Sequence, residues 1–353
     1  MAIDGRECRS LRDVKQVLIG PRLRARVAWA ATAFLALTTV VGEGLTPPAG
    51  AASAAVANRL RPGNPVERAG PRPLQPPTAL VPFSRAGAPG QGTWRPFGRR
   101  VLGQAAVFET DLLPPAGGAP AGIAWMDTKL LRATLYSGSG SPGGSSWHFS
   151  APIKPGQART LVAAFNGGFY LKSSNGGYYS EGKLVAPLRP GAASLVIYRD
   201  GTATVGEWGR DATMTKDVAA VRQNLNLIVD QGRPVAGLNP YDTSVWGSTL
   251  GGIPDVWRSG LGITRNGALV YVAGAALNVS VLAQLLARAG AVRAMELDIN
   301  PYWTVFATYR PATANGLASA ANGTDLVSTM YGQPDRFFTP SWARDFVTMS
   351  ARP

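Results

Sequence analysis

The chain has 353 residues, 45% of them hydrophobic and only 16% charged, with a net charge of +14 and a pI near 10.4. One cysteine, Cys8, and one histidine, His148, exclude a multi-histidine metal centre and, past residue 54, any disulfide, cysteine nucleophile or thiolate zinc site. The basic balance favours anionic partners, but the arginines are scattered, with no Lys/Arg block interleaved with aromatics, so nucleic acid is not expected.

Residues 1–54 read as a signal peptide or signal anchor. Arg22, Arg24 and Arg26 precede an apolar run from Val27 to Val41, and Ala52-Ser53-Ala54 offers a small-x-small cleavage site. The run, about 15 residues, is shorter than the ~20 a bilayer span needs. Cleavage is the expectation, with a protein secreted or held at the cell envelope; a membrane contact follows only if the segment stays uncleaved. These residues hold 7 Lys+Arg and 4 Asp+Glu, so their removal takes away +3 and leaves +11. Residues 55–100 are rich in Pro, Arg, Gly and Ala, as in Pro71-Arg72-Pro73, and read as a semi-extended linker.

From residue 101 to 353 the pattern is that of a folded domain. Ala105 to Thr110, Gly122 to Asp127 and Leu131 to Tyr136 read as strands. A Gly/Ser loop, Ser137 to Ser146, leads to Trp147 and His148. A lone histidine is more often structural than functional, but its position beside that loop makes His148 a candidate ligand contact. Leu161 to Phe165 is a buried strand running into Asn166-Gly167-Gly168, which signals either a hairpin turn or a backbone that approaches a ligand with the Asn166 amide free to donate. Ser194 to Arg199 and Thr202 to Trp208 form a hairpin about Asp200-Gly201. Val218 to Asp230 is a mostly apolar stretch closed by Gln231-Gly232-Arg233-Pro234. The loop from Asn239 to Trp257 carries Tyr241, Asp242, Trp246 and Asp255 and reads as a substrate wall or a surface excursion. A second hairpin turns at Asn266-Gly267. Asn278 is placed to cap a helix with Val281, Leu282, Leu285, Leu286 and Ala289 on one face.

That helix delivers the chain to Arg293-Ala294-Met295-Glu296-Leu297-Asp298-Ile299-Asn300. Strand alternation puts Glu296, Asp298 and Asn300 on one face, with Met295, Leu297 and Ile299 on the other, toward a core. Two carboxylates on one buried face suggest a site; an edge strand with its acidic face in water fits the same pattern. Thr304 to Tyr309 and Phe346 to Ser350 read as closing strands. The fold class is α+β, with mixed, mostly antiparallel sheets built from hairpins and flanked by few helices.

Taken in order, Asn166-Gly167-Gly168-Phe169, Gln231-Gly232-Arg233-Pro234, Arg258-Ser259-Gly260-Leu261-Gly262, Asn266-Gly267-Ala268-Leu269 and Ala294-Met295-Glu296-Leu297-Asp298 resemble the phosphodiester glycosidase family. The resemblance runs over residues 105–350. It implies an exported hydrolase of glycosyl phosphodiesters or related envelope glycans, with a non-catalytic polysaccharide-binding protein on the same fold as the alternative. Asp298 and Glu296 are then the catalytic candidates. Arg258 would clamp phosphate, or else form a structural salt bridge to one of the two carboxylates. Asn166, Gly167, Gly168, Asn300, Trp303 and His148 are the remaining substrate-binding candidates. The expected partner is an anionic or phosphate-bearing glycan. No cofactor is expected, although a divalent metal is not excluded. Where the family has a glycine run after Leu-Asp, this chain has Ile299-Asn300-Pro301, and Pro301 has no amide to give a phosphate.

Overall fold

The computed structural model describes residues 72–84, 89–144 and 146–353; the 1–54 signal segment and residues 55–71 of the linker lie outside the described residues. Period-two alternation builds the largest sheet. In the strand Leu269–Leu277, Val270 and Val272 face one side while Leu269, Tyr271 and Ala273 face the other, and all five are buried. The sheet is therefore covered on both faces.

Its eight strands run in the order Arg95–Pro96, Val107–Leu112, Ala121–Met126, Leu269–Leu277, Val256–Thr264, Ala291–Glu296, Leu227–Asp230 and Arg233–Pro234, each antiparallel to its neighbours. The central hairpin turns at Asn266-Gly267, with Leu261 opposite Tyr271. One face carries the helix Val279–Arg288, whose Val281, Leu282, Leu285 and Leu286 pack with Trp125, Val270, Val272 and Ala294. The Asn278 side chain caps this helix by accepting from the Val281 amide at 3.0 Å.

The other face meets two five-stranded sheets. One is ordered Ala203–Glu207, Ala193–Tyr198, Val218–Gln223, Tyr178–Ser180 and Lys183–Ala186; the other Gly323–Asp325, Phe306–Tyr309, Leu161–Asn166, Phe346–Ala351 and Leu131–Tyr136. Leu195, Ile197 and Val205 from the first, and Phe165, Phe306 and Val347 from the second, share one core with Tyr271, Leu261 and Met295. The result is a sheet-dominated, mostly antiparallel α+β fold.

Two expectations need correction. The apolar stretch 218–230 is two strands in two different sheets, Val218–Gln223 and Leu227–Asp230. The crossing is made by buried Gln223 and Asn224, then Leu225 at φ +53°; buried polar side chains there bond across the gap instead of packing as one run. Second, the described part of the 55–100 segment does not behave as a linker. Leu80 is buried, the Leu74 amide donates to Asp127 Oδ2 at 2.8 Å, and Arg288 donates to the Val81 carbonyl at 3.0 Å with its guanidinium over Phe83. Prolines reduce the entropy an extended strap loses on docking, and Leu74, Phe83 and Trp94 supply apolar surface beside the helix.

Replacing Asn278 with Ala should cost about 1 kcal/mol by leaving the Val281 amide unbonded. A lower urea midpoint with an unchanged slope is the expected result.

Candidate active site

The site begins where the strand Ala291–Glu296 runs out. Two more ladder bonds follow it, Leu297 amide to Ser259 carbonyl and Ser259 amide to Asp298 carbonyl, both 2.8 Å. The chain then turns on Asp298 itself. Its Oδ1 accepts from the amides of Ile299 (2.9 Å) and Asn300 (3.0 Å), and Asn300 Oδ1 in turn accepts from the Tyr302 amide at 2.9 Å. The amides that a glycine-rich turn would offer to a phosphate are here spent on the carboxylate.

Three buried ion pairs surround this turn. Asp298 Oδ2 accepts from Arg344 Nη2. The next residue, Asp345, takes both prongs of Arg222, Nε to Oδ2 at 2.7 Å and Nη2 to Oδ1 at 3.1 Å. Glu296 Oε1 accepts from Arg258 Nη1 at 2.5 Å. Arg258 is held further by the carbonyls of Leu277 (2.8 Å) and Pro254 (3.2 Å).

A cleft of about 340 Å³ opens onto Asp298. Arg344, Asn300, Trp303, Tyr170 and Phe169 also line it, and Thr243 and Ser244 from the Asn239–Trp257 loop form one wall. The Arg344 guanidinium lies over the Tyr170 ring at 4.0 Å and the Trp303 ring at 5.1 Å. Its Nη2 also donates to the Gly168 carbonyl at 2.6 Å, while among the described residues its Nε has no hydrogen-bond partner. Asp298 is the one carboxylate lining the cleft among the described residues. Among those residues no group of three or more His, Cys, Asp or Glu converges as a metal site.

The residues expected from the sequence separate into three groups. Asp298, Asn300 and Trp303 share the cleft. Glu296, Arg258, Asn166, Gly167 and Gly168 stand behind it. Arg258 takes the structural salt bridge to Glu296, so its fork is not turned to the cleft. Asn166 is not free to donate to a ligand: its Nδ2 donates to Gly167 O (2.8 Å) and Ser259 Oγ (3.1 Å), and its Oδ1 accepts from Tyr271 Oη at 2.7 Å. Ser259 Oγ accepts from the Asp298 amide at 3.2 Å, so Tyr271, Asn166 and Ser259 form a buried chain that positions Asp298. Asn166-Gly167-Gly168 is not a hairpin either. A Cβ on Gly167 would strike the Asp345 carboxylate, and one on Gly168 would meet Asn224 Oδ1 at 2.9 Å, so the glycines make room for the ion-pair network. His148 is exposed, does not line the cleft, and gives its backbone amide to Glu181 at 2.8 Å. The strand expected through Asn300 ends early, and Ile299, expected to face the core, is half-buried, packing against the helix-side core while also lining the cleft.

Sequence reasoning missed Arg344, Asp345, Arg222 and Tyr170. A signal existed for two of them: Arg344-Asp345 places opposite charges directly before the apolar strand Phe346–Ala351, where both ends of the pair must be buried.

Burial raises Asp298 to about 6, against Arg344 and the two amides that favour its charged form. Burial likewise raises Glu296 to about 7 against Arg258, with the Asp298 charge adding to the rise, and Glu296 Oε2 has no partner among the described residues.

Residues 159–298 match the model of the phosphodiester glycosidase family, which gives this segment its family-level assignment and suggests a glycosidase-type hydrolase. The match ends on Asp298. Among solved structures, the zebrafish N-acetylglucosamine-1-phosphodiester alpha-N-acetylglucosaminidase catalytic domain, auto-inhibited by its pro-peptide, is similar at 15% identity and a TM-score of 0.43, over 73% of this chain and 88% of that one. A hypothetical protein from Synechocystis is similar at 13% identity and a TM-score of 0.37, over 73% of this chain and 64% of that one. No curated protein matches the chain.

Unpairing the buried Asp345 by Arg222→Met should cost about 3–5 kcal/mol, and Arg222→Met/Asp345→Leu should recover part of that loss; chemical denaturation of the three proteins checks it. The raised carboxyls fix a second outcome. Unfolded Asp and Glu titrate near 4, so between about pH 4 and 7 the folded state holds protons that the unfolded chain has released. Their contribution is complete below pH ~4 and is lost as pH rises through 6 and 7. Glu296→Gln should flatten that decline when unfolding midpoints are compared across pH.

Proposed function

We propose that the chain is an exported glycosidase that hydrolyses glycosyl phosphodiesters of envelope glycans, with Asp298 and Arg344 as its reacting pair. The observation that carries the proposal is their ion pair in the cleft, in which Asp298 is the last residue of the family-matched segment and Arg344 lies beyond it. The basic, apolar N-terminal sequence supports export.

A glycosidase ordinarily uses two carboxylates, one of them to protonate the leaving oxygen. A phosphate leaves as a stable anion and needs little protonation, so one carboxylate suffices. Asp298 acts in its charged form, either as the base that takes a proton from the water that displaces phosphate at the anomeric carbon, or as nucleophile there. As nucleophile it displaces phosphate to form a glycosyl ester, which water then cleaves to release the sugar and restore the carboxylate. Arg344 meets the charge that develops on the departing phosphate with its remaining donors. Tyr170 and Trp303 hold the guanidinium plane, and Asn300 offers an amide at the cleft wall to sugar hydroxyls. Glu296 and Arg258 act from behind, as packing and electrostatic support for the Asp298 turn.

A second reading, glycan binding without catalysis, draws on one observation: Glu296 does not reach the cleft. Turnover decides between them. On methyl phosphodiesters of glucose, N-acetylglucosamine and mannose 1-phosphate, wild type should release reducing sugar and Asp298→Asn should lose about 10²–10⁴-fold in kcat. Binding of these compounds without sugar release would leave the binding reading. If Asp298 works as a carboxylate, kcat rises with pH through about 6. Arg344→Ala, which removes the main charge holding Asp298 ionised, should move that limb to higher pH.

A further inference from the structure

Two tyrosines outside the cleft leave large aromatic faces in water. Tyr302 is 55% and Tyr331 57% exposed, and their rings meet at 5.1 Å between centroids with a tilt of 55°. Neither belongs to the cleft lining.

Both rings stand on held backbone. Pro301 restricts the chain before Tyr302, the Tyr302 amide donates to Asn300 Oδ1 at 2.9 Å, and the next residue, Trp303, packs on Trp342 at 5.2 Å. On the other side Met330 is buried, with its amide bonded to the Val327 carbonyl at 3.0 Å. Gly332 lies so close to Val305 that a Cβ would meet the valine Cβ at 2.7 Å. Rings presented from two pinned turns have little ordering entropy left to lose on binding. The pair also continues from the cleft: Tyr302 stands between Asn300 and Trp303, both of which line it.

We propose that Tyr302 and Tyr331 form an outer subsite that stacks a further sugar ring of the substrate. The preferred substrate is then an extended phosphate-bearing glycan and not a single glycosyl phosphodiester. The apolar C–H face of a sugar matches a tyrosine ring, and the two phenol hydroxyls can bond its hydroxyls. The net charge of +11 left after residues 1–54 are removed draws a polyanion toward the site. This inference rests on the hydrolase reading, but its test separates the two.

Wild type, Tyr302→Ala/Tyr331→Ala and Tyr302→Phe/Tyr331→Phe are compared on a glycosyl 1-phosphate polymer and on the methyl diester of the same sugar phosphate. The Ala pair should raise KM for the polymer about tenfold, the worth of two aromatic contacts, and leave kcat and the diester KM unchanged. The Phe pair should retain most of the polymer affinity. Equal effects on polymer and diester, or none on either, overturn the subsite. In an Asp298→Asn background, polymer binding by calorimetry tests the subsite without turnover. About tenfold weaker binding in the Ala pair supports it. Absent binding, or binding indifferent to the tyrosines, overturns it. Normal tyrosine-dependent binding by a wild type that releases no sugar removes only the hydrolase reading.

Discussion

Arg344 and Asp345 are neighbours in the chain whose side chains leave in opposite directions to opposite charges. Asp345 binds Arg222 from one five-stranded sheet, and Arg344 binds Asp298 from the end of a strand of the eight-stranded sheet. Both belong to the segment that enters the strand Phe346–Ala351 of the third sheet. One dipeptide thus fastens three sheets at the point where their strand ends converge. Losing either partner would strand a charge in a buried place, which is far costlier than any exposed ion pair. The site depends on this fastening because, among the described residues, Asp298 has no other ion-pair partner to orient it.

The same junction explains why so many of the polar groups that looked chemical in the sequence turn out to be internal. Asn166, Ser259 and Tyr271 satisfy one another and end on the Asp298 amide. Asn224 donates to the Glu296 and Leu297 carbonyls at 2.9 and 3.2 Å and accepts from the Phe169 amide. Buried polar groups must be paired, and a network in which every member is bonded holds a single geometry. Among the described residues, the charged groups that reach the cleft are one carboxylate and one guanidinium, beside aromatic faces and neutral polar side chains such as those of Asn300, Thr243 and Ser244. Burial then sets the chemistry, because the medium that makes Asp298 hard to ionise also strengthens its attraction to Arg344.

Much of this was legible in the chain. The hairpin at Asn266-Gly267, the capped helix after Asn278 and the strand leading to Asp298 follow from local periodicity and turn chemistry, and the order of short motifs carries the family resemblance. Local rules failed where a residue answers to a distant partner. The two glycines after Asn166 look like a turn, yet they are small because the Asp345 carboxylate and the Asn224 side chain lie where their Cβ atoms would be. Arg258 and Arg344 are indistinguishable as isolated arginines; one is spent on Glu296 and the other opens to the cleft.

The sequence by itself determined most element types and the sheet-dominated class, since these rest on spacing within about ten residues, and the resemblance carried by its ordered motifs made Asp298 a candidate. The tertiary structure alone decided which charge meets which, and so that Arg344, 46 residues from Asp298, is its partner while Glu296, two residues away, is not its companion in the cleft. Alternation tells which face of a strand a side chain takes, but the pairing of buried charges is set by desolvation, which depends on everything packed around them.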